Sequence, residues 1–467
     1  MSWFSVEPPQ SQSATQPAVL VHPTSSRYQP GDLLGELKDE DTSWLAQSSG
    51  FVTETQTFYL TLPGGKLAMC QVIHSAIGLW YPQIQFTFRF VDQASGVHHW
   101  KSTNVTSFKT PPAPSGSSSV KYDRRSCKAD QFSILLDPAQ PDRYTVTGKH
   151  DDSVQVQFSV TRMADVPGWK LGHDARGGLT YFGRLASKEP SKGGPDYGAG
   201  GDGYLVHRFW PRCSVSGRLV VNGQTVELEG SRAIFVHAIQ GMRPNLIASR
   251  WNFCNFQSVR PLDSSAGGAE ETDPGVSLTL MEFTTVPGSY GPPQTISIGS
   301  IVVGDKLVGL CCSPNPSELV DSQTVHQAPL LHDLDTGYQA PSAIKFQWLA
   351  PVLNSSASAP TSAAAELVLD LQAKRLSDKE SYVTKGLIEK VDVMAQIPYL
   401  VKKVISAVAG ARPYIYTWLN PVSATITLPN AALPSGLAIK TEPADADSSK
   451  FVVHGHLFNE ATFISDL

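Results

Sequence analysis

Between residues 84 and 90 the side chains alternate without a break: Ile84, Phe86, Phe88 and Phe90 fall on one side, Gln85, Thr87 and Arg89 on the other. Residues 154–161 repeat the pattern, with Val154, Val156, Phe158 and Val160 set against Gln155, Gln157, Ser159 and Thr161. Successive side chains leave a pleated backbone on opposite faces, so this period belongs to an extended strand and not to a helix. One greasy face beside one wet face predicts antiparallel sheet folded around a core, a barrel or a sandwich.

The rest of the chain reads in the same way. Runs at 56–62 and 66–74 flank Pro63-Gly64-Gly65, and runs at 219–221 and 225–228 flank Asn222-Gly223, a type I′ hairpin signal. Further strands are expected at 232–239, 249–257, 276–285, 294–303, 306–311, 344–348, 365–372, 413–418, 422–428 and 451–456. The 34 prolines and 37 glycines supply turns for many short strands, and 41% hydrophobic residues suffice for real cores. The fold class is therefore all-β. At 467 residues the chain has room for two such domains. Residues 1–50, rich in Ser, Gln and Pro, read as a disordered arm. One helix is expected at 398–409, where Ile397, Leu400, Val401, Val404, Ile405 and Val408 form a single apolar stripe between Pro398 and Gly410. It suits packing on a barrel, with membrane-surface binding as the alternative.

Net charge is −5, without a basic field for nucleic-acid phosphates. No apolar run is long enough to span a bilayer and no segment resembles a signal peptide, so a cytosolic protein is expected. The six cysteines contain no CxxC pair. Adjacent Cys311 and Cys312 read as strand residues facing opposite sides, with a redox pair as the alternative. There is no P-loop, GxGxxG after a strand, GxSxG or HExxH. His454 and His456 share a strand face but have no evident third ligand, so no metal and no cofactor is expected.

Residues 204–257 carry the most chemistry. Here large aromatics abut His, Arg, Asn and Gln, and the 249–257 strand is polar on both faces: Arg250 and Asn252 on one, Asn255 and Gln257 on the other. Apolar walls with a few fixed donors and acceptors describe a ligand cavity. An inter-domain interface whose polar groups satisfy one another fits the composition equally well. The candidate ligand-binding residues are His207, Arg208, Trp210, His237, Gln240, Met242, Arg250, Trp251, Asn252, Phe253 and Asn255. The aromatic face at 84–90 is the second choice. No catalytic residue is assigned, because no nucleophile–base pair and no carboxylate beside a histidine is evident.

The strings HRFWPRC (207–213), FVHAIQGMRPNLIASRWNFCNFQS (235–258), VDVMAQIPYLVKK (391–403), RPYIY (412–416) and FNEATFIS (458–465), with ETQTFYLTLPGGKLAMCQVIHS (54–75), resemble the survival factor 1 (oxidative-stress survival) family of fungi. The resemblance implies two tandem lipocalin-like barrels, one over 51–213 and one over 215–467. It implies an apolar small molecule or sphingolipid, ceramide above all, as ligand. It further implies a cytoplasmic and in part nuclear protein, with peripheral contact to ER or Golgi membranes, supporting survival of oxidative stress. Members can begin with an amphipathic segment that touches membranes; here Pro8-Pro9 follows Trp3, Phe4 and Val6 at once and blocks such a helix. The reading that follows is a non-enzymatic lipid carrier. The alternatives are a hydratase- or cyclase-type enzyme on the same fold, with His207, His237 or Arg250 as the polarising group, and a scaffold whose barrels are filled.

Overall fold

The alternating segments are strands. Gln83–Asp92 and Val154–Arg162 both turn their apolar members inward, and Phe86, Phe88, Val156 and Phe158 are buried. The structure, a computed structural model, describes residues 19–78, 81–114, 119–186, 194–243, 246–259, 273–288, 290–314, 321–353, 361–375, 382–396, 412–437 and 439–465. The helix expected at 398–409 lies outside these residues.

The strands form two large antiparallel sheets. The first runs in space from Val97–Asn104 through Gln83–Asp92, Lys66–Ile77, Phe51–Leu62, Arg232–Gln240, Gly203–Val221, Val154–Arg162, Arg143–Lys149 and Phe132–Leu136 to Cys127–Lys128. Its two ends do not pair, but side chains close the gap. Thr103 Oγ1 and His150 Nδ1 lie 3.0 Å apart, Lys101 pairs with Asp151, and Phe86 stacks on His150 with ring centroids 4.5 Å apart. Inside is a dry core that includes Phe58, Phe86, Phe88, Phe90, Tyr144, Trp210 and Phe235. The second sheet runs from Lys306–Ser313 through Thr295–Val303, Ser277–Thr285, Ala248–Gln257, Ser448–Phe463, Tyr414–Pro429, Ser362–Asp370 and Ala343–Pro351 to Gln323–Gln327. It wraps a core that includes Tyr338, Trp348, Tyr416, Trp418 and Phe463. Among the described residues no helix is long and apolar enough to cross a membrane.

Two expectations are corrected. A domain boundary at 213–215 would fall inside the nineteen-residue strand Gly203–Val221, which has partners along both edges. Arg232–Gln240 also belongs to the first sheet, so the chain passes to the second between Gln240 and Ala248. Nor is the N-terminal arm free over 19–50. Tyr28, Leu33 and Trp44 are buried, and Leu34–Glu36 pairs with Trp169–Leu171. These residues lack periodicity because they cap other elements instead of forming a strand face of their own.

The hairpin Val221↔Gln224 turns through Asn222 at φ 51° and Gly223 at φ 78°, the left-handed geometry that an Asn-Gly turn supplies. At Gly65 the need is for space: a Cβ there would lie 2.4 Å from the His456 ring of the second sheet. Cys311 lies in the core of the second sheet and Cys312 in the cluster between the sheets, on opposite faces as their adjacency requires.

The sheets meet face to face over a cluster that includes Tyr59, Met69, Phe209, Val236, Phe253, Leu419 and Phe458. Arg212 clasps them. A register shift between Trp210 and Cys213 bulges the long strand and turns this arginine out of it. Its guanidinium reaches Asp273 and Asp305, each at 2.5 Å, and the Val276 carbonyl at 3.0 Å. A second clasp joins Arg89 to Glu389 at 3.0 Å.

Candidate functional site

Between the two sheets the packing leaves a crevice of about 360 Å³. Period-two geometry builds it. The odd positions of Phe51–Leu62 give Thr55, Thr57 and Tyr59, while the even positions Phe58 and Leu60 face the first core. Arg232–Gln240 gives Val236, Ala238 and Gln240, and the long strand gives His207. The opposite wall carries Trp251, Phe253, Met281, Ile415, Glu460 and Thr462, and Val393, Met394, Pro413 and Ile464 close one side. Its volume is at the lower end of the ~300–1,000 Å³ typical of ligand pockets.

The walls are aromatic and aliphatic, and their polar groups are few. Tyr59 stacks between Phe253 and Phe458, with ring centroids 5.2 and 5.3 Å away. Trp251 meets His207 edge-on at 5.8 Å. Burial pushes the His207 imidazole down to about 4, so it is neutral at physiological pH. Burial raises the Glu460 carboxyl above its ordinary range, against the opposing pull of Arg89. A wider groove of about 740 Å³ lies on the outer face of the first sheet, but exposed Lys128, Asp130, Lys149 and Arg218 line it and could not desolvate an apolar ligand.

Of the eleven residues chosen from sequence, His207, Gln240, Trp251 and Phe253 line the crevice. Met242 is buried in the apolar cluster beside Trp251. The other six lie elsewhere: five occupy the other side of their strands, and Asn255, on the crevice side, sits further along its strand beside the Arg212 clasp. Trp210 belongs to the first core. Arg208 and His237 hold the N-terminal segment instead of a ligand. Arg208 donates to the Asp41 carbonyl and, at 3.0 Å, to Tyr197 Oη, while Lys170 Nζ is 2.7 Å from Asp41 Oδ1. His237 sits between Glu54 and the Asp41 carbonyl. Together these bonds seat Trp44 against the end of the first core. Asn255 is buried, and its side-chain oxygen accepts from Gln257 Nε2 at 2.9 Å.

Asn252 lies on the second-barrel side of its strand. Its Nδ2 donates to Glu282 Oε1 at 3.1 Å and its Oδ1 accepts from His326 Nε2 at 2.9 Å. The Thr324 amide donates to the other Glu282 oxygen at 2.8 Å. Burial raises Glu282 to about 7 and lowers His326 to about 3, the latter helped by Arg250. Arg250 Nε is buried without a hydrogen-bond partner among the described residues. None of these five residues lines the crevice. The aromatic face at 84–90 is closed as well, since Phe86, Phe88 and Phe90 are packed into the first core.

Sequence reasoning missed Thr55, Thr57, Tyr59, Met281, Ile415, Glu460 and Thr462 as lining residues. A signal existed for one of them: Glu460 is a lone acid within the otherwise uncharged FNEATFIS string. The others carry ordinary strand chemistry and are joined only by the meeting of two sheets. His454 shares a 2.8 Å hydrogen bond with Ser423 on the surface and His456 packs over Gly65, so the two do not converge on a metal.

A model of the Svf1 family matches residues 1–465. The chain belongs to that family. Among its relatives are the ceramide-binding protein svf1 of Aspergillus fumigatus, 30% identical over 92% of this chain and 91% of the relative, and the ceramide-binding protein SVF1 of Debaryomyces hansenii, 31% identical over 96% of this chain and 94% of the relative. Among solved structures, CghA with Sch210972 superposes with a TM-score of 0.52 at 10% identity, covering 97% of this chain and all of CghA. At that identity the likeness shows the fold alone, the lipocalin-like pair of β barrels that this Svf1-family chain also adopts. The Svf1-family relatives are named as binding proteins and not as enzymes.

Proposed function

We propose that this chain binds a ceramide-type lipid without transforming it, and that the crevice between the two sheets is where the lipid's apolar part lies. One observation carries the reading: the crevice has aromatic and aliphatic walls and only a few polar groups, in a chain that matches ceramide-binding relatives over more than nine-tenths of its length. The physics is adequate. About ten methylenes removed from water contribute ~8 kcal/mol at ~0.8 kcal/mol each. Before ordering costs, that corresponds to a dissociation constant on the order of micromolar. His207 and Gln240 would orient the head group from the first sheet, and Glu460 and Thr462 from the second.

In the cell such a protein would carry lipid through the cytosol between membranes, and the survival of oxidative stress would follow from that traffic. The alternative, an enzyme on the same fold, has His207, Glu460 and Tyr59 as titratable groups at the crevice. Native mass spectrometry of the protein purified from fungal cells tests the reading. Ceramide should co-purify and be recovered chemically intact. Protein free of lipid, or protein that returns an altered lipid after incubation, overturns it.

A further inference from the structure

Glu460 is the ionisable group that the fold leaves unanswered at the crevice. Its strand neighbours are Phe253 on one side and Thr417 on the other. Thr417 also meets Arg89, whose Nη1 lies 3.4 Å from the hydroxyl. Arg89 is the cation whose charge reaches Glu460, but Glu389 takes it at 3.0 Å. The Glu460 carboxyl has no hydrogen-bond or ion-pair partner among the described residues. One guanidinium thus stands near two carboxylates and is committed to the outer one.

An ionised carboxylate with aromatic neighbours and no donor would be costly. Burial accordingly favours the neutral acid, in the direction already noted for this group. A neutral carboxylic acid has one O–H donor and one carbonyl acceptor side by side. An amide carbonyl beside a hydroxyl, as in an N-acylated amino alcohol, is the matching acceptor and donor. The other polar groups at the crevice among the described residues, the threonines, the Tyr59 hydroxyl, Gln71, Gln240 and neutral His207, add no net charge that would call for an ionic head group.

We propose that Glu460 is the head-group anchor of the crevice, its carboxylic acid donating a hydrogen bond to the amide carbonyl of a sphingoid lipid and accepting one from the neighbouring hydroxyl. The anchor selects uncharged amide lipids. Phosphorylated ones are rejected because a phosphate would meet an acid with no free cation beside it among the described residues. The inference rests on the reading that the crevice holds the lipid.

The test uses the full chain and three probes: a fluorescent short-chain ceramide, its 1-phosphate, and a pyrene-labelled alkane with no head group. Wild type should bind the ceramide and the alkane and take up the 1-phosphate at least about tenfold more weakly. Glu460→Met should lose on the order of tenfold in ceramide affinity, about the worth of one or two buried hydrogen bonds, while alkane binding stays within about twofold. Glu460→Gln keeps a donor and an acceptor and should hold ceramide within about threefold of wild type. Unchanged ceramide affinity in Glu460→Met overturns the anchor, and so does parallel loss of ceramide and alkane in both variants. Wild type that binds neither ceramide nor alkane overturns the lipid reading itself.

Discussion

His237 Nε2 lies 2.9 Å from Glu54 Oε1, and both side chains are sealed from solvent inside the first barrel's end. The Asp41 carbonyl, 3.2 Å from Nδ1, can only accept, so Nδ1 donates to it. Glu54 also accepts from the Leu45 and Ala46 amides at 2.9 Å. The pair therefore fastens residues 41–46 over the core. His237→Ala is expected to destabilise the fold by on the order of 3 kcal/mol, through the orphaned Glu54 and the loosened Trp44. Urea melts measure this. Lipid uptake by the fraction that remains folded should be unchanged; its selective loss would return His237 to the ligand.

Filling the crevice should abolish uptake without touching either core. Ala238 lines it and belongs to neither barrel interior. Ala238→Phe is expected to lower affinity for a fluorescent ceramide at least tenfold while leaving the far-UV circular dichroism in place. Equal binding by the variant would place the ligand elsewhere.

Acid should weaken the fold. Burial lowers His150 and His207 to about 4 and His326 to about 3. Unfolded histidines take up protons near pH ~6.5, so stability falls as the pH drops from there to about 4. Glu282 acts oppositely. Its folded value of about 7 exceeds the unfolded one, so the protonated form is favoured on folding and acidification from 7 toward 4.5 adds stability. Three histidines outweigh the two carboxyls that burial raises, Glu282 and Glu460, and Tm should be lower at pH 4.5 than at pH 7. A flat or rising Tm would contradict this balance.

The thiols should be silent. Cys70, Cys127, Cys213, Cys254, Cys311 and Cys312 are all buried, and burial, the largest cause at each, pushes Cys311 to about 12 and the rest upward. The thiolate is the reactive form. Ellman's reagent should therefore label native protein at a negligible rate and all six sites once guanidinium unfolds it. Rapid labelling of two thiols in native protein would reopen oxidant sensing by Cys311 and Cys312.

Arg212 should hold the two sheets together. Its guanidinium is fully buried between Asp273 and Asp305. Arg212→Met leaves two acids and the Gln257 side-chain oxygen facing an apolar stem. The expected cost is about 3–5 kcal/mol, the usual penalty for breaking a buried pair. Limited proteolysis should also show new cleavage between Gln240 and Ala248. An unchanged melting curve would show that the apolar cluster suffices.

The strands were legible because a half-buried strand writes its burial into alternate residues. Phe86 and Phe88, or Val154 and Val156, needed no partner to be recognised as inward-facing. The 249–257 strand was legible as a strand with two polar faces, and of its two candidate explanations the interface describes Asn255 and Gln257, while none of its polar residues lines the crevice. Arg250 and Asn252 face the polar network in the second barrel, whereas Asn255 and Gln257 join the clasp around Arg212. Sequence could not say which of its residues shared a wall with Thr55 or Glu460, some two hundred residues away in either direction.

Sequence alone determined that this chain is all-β, where its hairpins turn, and to which family it belongs, since those depend on local periodicity and on extended strings of residues. Tertiary structure decided the rest. It placed the passage to the second sheet after Gln240, turned Asp41 and Glu54 from apparent arm and strand polarity into a buried lock, and made a crevice where two sheet faces fail to fill the space between them. The physical reason is that a gap between sheets is a property of their relative placement. Each face alone reads as an ordinary strand surface, and only their apposition leaves Glu460 without a partner among the described residues.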